Sequence, residues 1–282
     1  MSKGKVLVIG SNATTLDVQG GGTVETGQYL NETVVPAMAI EAAGYEIVLA
    51  TPTGAKPTID PVSDAAEHFG GDEKALEEAR DYFANSPAMN APKKLSDVVD
   101  AGLDGFAGVF VPGGHAPITD LMPNEDVGRA LAHFHREGKP TALLCHGPIA
   151  LAGAAADPKG FRAAMVAGDD AKAREAAGDW PYRGYRMTIF SASEEKVAEE
   201  HILKAKLHFD MPRALTAAGG TVENGTENFA PFVVTDRDLI TGQNPASDQP
   251  LAEAFVEALA AHGEPTRAGR AARAPPPNGA MP

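Results

Sequence analysis

The sequence holds a single cysteine, Cys145, in 282 residues. No intramolecular disulfide can form, which excludes the disulfide-stapled secreted scaffolds. No apolar run reaches the ~18 residues a membrane-spanning helix needs. The apolar stretch 6–9, close behind Met1, is too short for the core of a secretory signal. These absences predict a soluble cytoplasmic protein. Basic residues are also scarce: 24 Lys and Arg stand against 38 Asp and Glu, a net charge of −14. Such a surface repels phosphate backbones and anionic lipid, so neither nucleic acid nor a membrane is expected as a partner. A phosphate-binding G-x-x-x-x-G-K-[S/T] is missing, and Gly20–Gly22 do not form a G-x-G-x-x-G between a strand and a helix. The eight histidines are scattered, with no H-E-x-x-H, and His133 and His135 fall on different faces of their helix. The expectation is no metal, no nucleotide and no other cofactor.

What is present is a strand–helix alternation. Short apolar runs at 5–9, 45–50, 108–111, 141–144, 185–190, 221–223, 232–234 and 239–241 read as strands. Helical patterns at 32–43, 72–84, 96–101, 124–137, 149–155, 194–203, 211–218 and 247–261 lie between and after them. Gly44 closes the first helix, and Ser96 is read as the cap of the third. The polar stretch 11–27 reads as a loop, and 157–183 has no clear pattern. The alternation predicts an α/β fold with a mostly parallel sheet covered by helices on both faces. One domain over 1–262 is expected, with insertions at about 60–91 and 157–181, and a disordered tail over 263–282 rich in Ala, Arg and Pro.

Cys145 stands where a strand meets a helix. A sharp turn there would hold a nucleophile above the carboxyl edge of the sheet, with positive φ as its strain signature. The positive end of the following helix would lower the thiol's pKa. A buried, inert cysteine is the competing reading. His146 is placed to exchange a proton with the thiol. Gly113, Gly114 and His115, at the end of another strand, are candidates for oxyanion and substrate binding, since glycines let a backbone approach closely. An orienting carboxylate could come from Glu194, Glu195 or Glu32.

These residues resemble the DJ-1/PfpI family, related to class I glutamine amidotransferases, and within it the heat-shock chaperone and glyoxalase III branch. The resemblance is carried by Phe110-Val-Pro-Gly-Gly-His115, Asp120-Leu121, Leu144-Cys-His-Gly-Pro148, the stretch around Glu32, and Thr241-Gly-Gln-Asn-Pro-Ala-Ser247. It implies a flavodoxin-like sandwich with cap insertions, usually a homodimer. It also implies Cys145 as nucleophile, His146 as its partner, Glu195 as third member and Glu32 as the carboxyl beside the sulfur. Glu194 leaves a one-residue ambiguity. The helix after Glu32 lacks the histidine and carboxylate with which some bacterial members hold a metal.

The implied activity is a cofactor-independent glyoxalase, turning a 2-oxoaldehyde such as methylglyoxal into a 2-hydroxy acid. Three other readings fit the same residues: a cysteine amidase or peptidase, a stress chaperone holding unfolded protein clients, and a redox sensor at Cys145.

Overall fold

The computed structural model describes residues 2–263. The expected tail lies outside the described residues except for Gly263, which ends the last helix. Seven strands form the central sheet. In chain order they are β1 (Lys5–Ile9), β2 (Glu46–Thr51), β3 (Lys93–Lys94), β4 (Phe106–Val111), β5 (Thr141–Leu144), β6 (Val233–Asp236) and β7 (Leu239–Gly242). Their spatial order is β6-β7-β5-β4-β1-β2-β3. All neighbours are parallel except the β6–β7 hairpin. This is a mixed, mostly parallel sheet of the flavodoxin-like type.

The pleat sorts each strand's side chains onto two faces. Leu7, Ile9, Val109, Val111 and Leu143 enter one core, against the helix α3 (Glu125–Arg136). Val6, Val8, Phe110, Ala142 and Leu144 enter the other, against α1 (Leu30–Ala42) and the C-terminal helix Asp248–Gly263. Both faces are covered, which is why these strands read as continuous apolar runs. The helix α2 (Glu73–Asn85), capped by Asp72, lies between α1 and α3 in sequence. The chain leaves β1 toward β2 and β3 on one side, then returns to β4 and β5 on the other. That reversal makes the carboxyl ends of β1, β4 and β5 the switch point where open α/β sheets bind ligands.

Several local expectations are corrected. Lys94, not Ser96, caps the helix Leu95–Ala101, and it makes no side-chain cap bond. Of 185–190 only Arg186–Met187 pairs as a strand, in a small separate ladder with Thr221–Val222. The loop at 11–27 contains a hairpin, Thr15–Asp17 with Thr23–Glu25. The unread 157–183 region holds two helices, Pro158–Val166 and Asp170–Ala177. The helix after Cys145 is a 3₁₀ helix, Gly147–Ala154. No helix among the described residues is long and apolar enough to cross a membrane.

Candidate active site at the carboxyl edge

Cys145 directly follows β5 and has φ of +57°. The left-handed region costs a side-chain-bearing residue about 1–2 kcal/mol, so it needs support from its surroundings. Here the support is backbone on both sides. Cys145 N–H donates to the Gly242 carbonyl of β7 at 2.8 Å, and its own carbonyl accepts from Phe190 N–H at 3.0 Å. The resulting bend sets Sγ 3.3 Å from Nδ1 of the adjacent His146.

Glu195 begins the next part of the site. It lies in the first turn of α4 (Ala192–Ala198), and its two oxygens serve two different imidazoles. His146 Nε2 donates to Oε2 at 2.8 Å, and His115 Nε2 to Oε1 at 2.9 Å. Burial alone would raise the Glu195 pKa, but His146 and His115 outweigh it and hold the carboxyl well below its ordinary range. An ionised Glu195 can only accept, so each Nε2 carries its hydrogen. His146 Nδ1 is thereby left as the free base facing the thiol. Burial, and then His115 with its ring centroid 4.0 Å away, lower the pKa of His146 and keep it neutral before substrate arrives.

Glu194, the neighbouring carboxylate, does something else. It is fully buried and points away from the imidazoles. Its oxygens accept from Ser191 N–H and Oγ, Gln243 Nε2, Asn244 Nδ2 and Phe229 N–H. It ties the start of α4 to the 224–232 loop and to the Thr241–Ser247 stretch. Glu195 is the member of the pair that meets His146.

Glu32 reaches the same crevice from the first turn of α1 and is fully buried. Its Oε2 accepts from Gly113 N–H at 3.0 Å, and the Gly114 N–H bears on the same carboxyl. Its Oε1 has no hydrogen-bond partner, and the carboxyl interacts with the side chain of Cys145. Burial, only partly offset by Cys145 and the glycine N–H groups, raises the Glu32 pKa to about 8.

The Gly113 N–H is given to Glu32, and His115 is the second imidazole on Glu195. One expectation about this crevice does not hold: the thiol is not acidified. Burial, and then the facing Glu32 carboxyl, push the Cys145 pKa up. The following turn is 3₁₀ rather than α, and its positive end is outweighed by a dry site already holding carboxyls.

His115, His146 and Glu195 also offer three possible ligand atoms within 4.8 Å of one another. A metal there would compete with the hydrogen bonds that His146 and His115 each make to Glu195.

Residues 24–176, more than half of the chain, match the DJ-1/PfpI family. The chain belongs to that family. Among its relatives, the protein/nucleic acid deglycase HchA of Escherichia coli is 30% identical over 268 residues, spanning 92% of this chain and 83% of that protein. The HchA of Pseudomonas aeruginosa is 27% identical over 260 residues, spanning 90% and 80%. The crystal structure of glyoxalase III from Candida albicans superposes with a TM-score of 0.67 at 23% identity, covering 91% of this chain and 97% of that one. That likeness shows the fold.

This DJ-1/PfpI chain uses its glycines for close approach. A Cβ on Gly113 would lie 2.5 Å from both Glu32 Oε2 and the Leu144 carbonyl, and 2.8 Å from Cys145 Cβ. Gly113→Ala is therefore expected to cost about 1–3 kcal/mol, as overpacking does, and to force Glu32 off the sulfur. Urea unfolding midpoints check this, and a wild-type midpoint would show that the loop yields.

Proposed function

We propose that this protein is a cofactor-independent glyoxalase, converting a 2-oxoaldehyde such as methylglyoxal to a 2-hydroxy acid on Cys145. The observation that carries the reading is Glu32: a buried carboxyl that interacts with Cys145, its pKa raised to about 8 and one of its oxygens, Oε1, unpartnered. Hydrolysis by Cys145, His146 and Glu195 alone has no task for such a group. Isomerising an oxoaldehyde does, because a proton must move between adjacent carbons.

The residues support the following sequence. The thiol proton passes to His146 Nδ1 as sulfur bonds to the aldehyde carbon, and Glu32 gives its proton to the aldehyde oxygen. The product is a hemithioacetal, with Glu32 now ionised beside an imidazolium that Glu195 stabilises. Glu32 then takes the proton from that carbon while His146 protonates the neighbouring oxygen, forming an enediol. Glu32 returns its proton to the second carbon, and the first hydroxyl gives its own to His146, leaving a thioester. Water, deprotonated by Glu32, displaces the sulfur, which recovers its proton from His146. The 2-hydroxy acid leaves, and all three groups are restored. The relatives named protein/nucleic acid deglycase support the coarser reading, deglycase- or glyoxalase-type chemistry on reactive carbonyls.

The expected result is 2-hydroxy acid formed from methylglyoxal without added glutathione or metal, and none from Cys145→Ala. Turnover that survives in Cys145→Ala would overturn the covalent route, and no turnover by the wild type would overturn the activity.

A further inference from the structure

A cavity of about 960 Å³ opens beside the site. Small-molecule pockets usually span about 300–1,000 Å³, so this one has far more room than a three-carbon substrate fills. At its inner end the Phe190 ring centroid lies 4.5 Å from that of His146 and 6.4 Å from that of His115. Phe229 continues the aromatic surface outward, 6.2 Å from Phe190. Phe69 and Ile202 add to the apolar lining.

Phe229 is 45% exposed and Ile202 43%, so neither is spent on the core. Phe229 also has φ of +62°, a conformation that a bulky residue rarely adopts. Hydrogen bonds to buried Glu194 and Asn244, and one between exposed neighbours, hold it there. Its N–H donates to Glu194 Oε1 at 2.7 Å, and the next carbonyl, of Ala230, accepts from Asn244 Nδ2 at 2.7 Å. On the other side, Asn228 accepts from Ser193 Oγ at 2.6 Å. An exposed aromatic held in strained backbone beside a cavity is the kind of outlier from which function can be inferred. Among the described residues the lining includes two carboxylates, Glu67 and Asp248, and two histidines, His68 and His115, but no lysine or arginine, so an anionic substituent would meet like charge and no permanent cation.

We propose that this cavity selects 2-oxoaldehydes whose second substituent is large, aromatic and uncharged, with Phe190 and Phe229 as the surfaces it packs on. The turnover half of the inference rests on the glyoxalase reading; the binding half does not. Glu194 is a positioning residue for Phe229.

Phenylglyoxal and methylglyoxal are the probes. The wild type is expected to show a kcat/KM at least about tenfold higher for phenylglyoxal, the order that apolar burial of a ring supports. A carboxylate on the ring should remove that advantage. Phe229→Ala is expected to lower the phenylglyoxal value about tenfold more than the methylglyoxal value, mainly through KM, while Phe229→Tyr keeps the ratio. A wild type that prefers methylglyoxal or the carboxylated ring, or a Phe229→Ala effect equal on both substrates, would overturn the proposal. If neither aldehyde is turned over, the glyoxalase reading falls and binding decides the rest. Calorimetry on Cys145→Ala would compare the inert diketones 1-phenyl-1,2-propanedione and 2,3-butanedione. Tighter binding of the phenyl compound, weakened by Phe229→Ala, would support the cavity's selectivity on its own. Equal binding would overturn it.

Discussion

Glu195→Gln is expected to cost about a thousandfold to ten-thousandfold in turnover, the scale seen when a catalytic imidazole is held in the wrong tautomer. Both carboxylate oxygens are in use, one by His146 at 2.8 Å and one by His115 at 2.9 Å. An amide keeps one acceptor and turns the other position into a donor. One imidazole must then present a bare nitrogen to the amide N–H and move its hydrogen to the opposite side of the ring. Where that ring is His146, Nδ1 becomes a donor and the base facing the thiol is lost.

The same substitution is expected to destabilise the fold by about 3 kcal/mol at neutral pH, because two hydrogen bonds to a buried charged group, each worth about 1.5–3 kcal/mol, are lost or weakened. The pH dependence has a defined sign. The folded-state pKa of Glu195 lies below its ordinary value of 4.5. Its contribution is therefore fully present above 4.5 and is lost as pH falls from there toward the folded-state value. Urea unfolding of the wild type and the variant should differ most at neutral pH and converge in acid. Turnover within tenfold of wild type would mean that the backbone, not Glu195, orients His146.

The parts of this site that were legible in the sequence are those fixed by short-range physics. Residues 6–9 and 141–144 are buried on both faces, so an apolar run with a turn after it is enough to find β1 and β5. Asp72 and Asn124 each accept two backbone N–H bonds as caps, and such residues announce a helix start locally. What stayed hidden depends on contacts between distant segments. Glu194 and Glu195 are chemically alike and adjacent, and α4 turns one toward Gln243 and Asn244 and the other toward the two imidazoles. One local signal does separate them: Ser191-x-x-Glu194 is a capping box, which commits Glu194 to the start of α4 and leaves Glu195 for the imidazoles. The second imidazole was hidden because His115 reaches Glu195 across 80 residues of chain. The direction of the thiol's shift was also out of reach. A helix start after a cysteine argues for acidification, but burial and Glu32, from a different strand–helix unit, decide the outcome. The helices within 157–183 went unread because Ala and Gly leave little apolar periodicity.

Glu32→Gln is expected to separate activity from stability. The amide oxygen can still accept from Gly113 N–H, so the local geometry should persist, but the group no longer takes or gives a proton. Loss of a positioned acid–base group costs about a hundredfold to ten-thousandfold, and methylglyoxal turnover should fall by that order. Stability should move the other way. The carboxyl keeps its proton up to about pH 8 in the folded protein and loses it near its ordinary value of 4.5 when unfolded. Between those values the unfolded chain binds fewer protons, so wild-type stability falls as pH rises, by up to about 1.4 kcal/mol per pH unit from this group. The glutamine variant lacks that slope. Denaturation from pH 5 to 8 should therefore show Glu32→Gln gaining on the wild type at each step, while groups common to both cancel in the difference. Wild-type turnover should also decline above about pH 8, where the resting enzyme loses the proton that Glu32 gives to the aldehyde oxygen. A stability difference that does not change with pH would show that Glu32 is ionised in the folded state. It could still take the proton from the substrate carbon but could not act as the initial acid, and the aldehyde oxygen would have to take its proton from the imidazolium of His146.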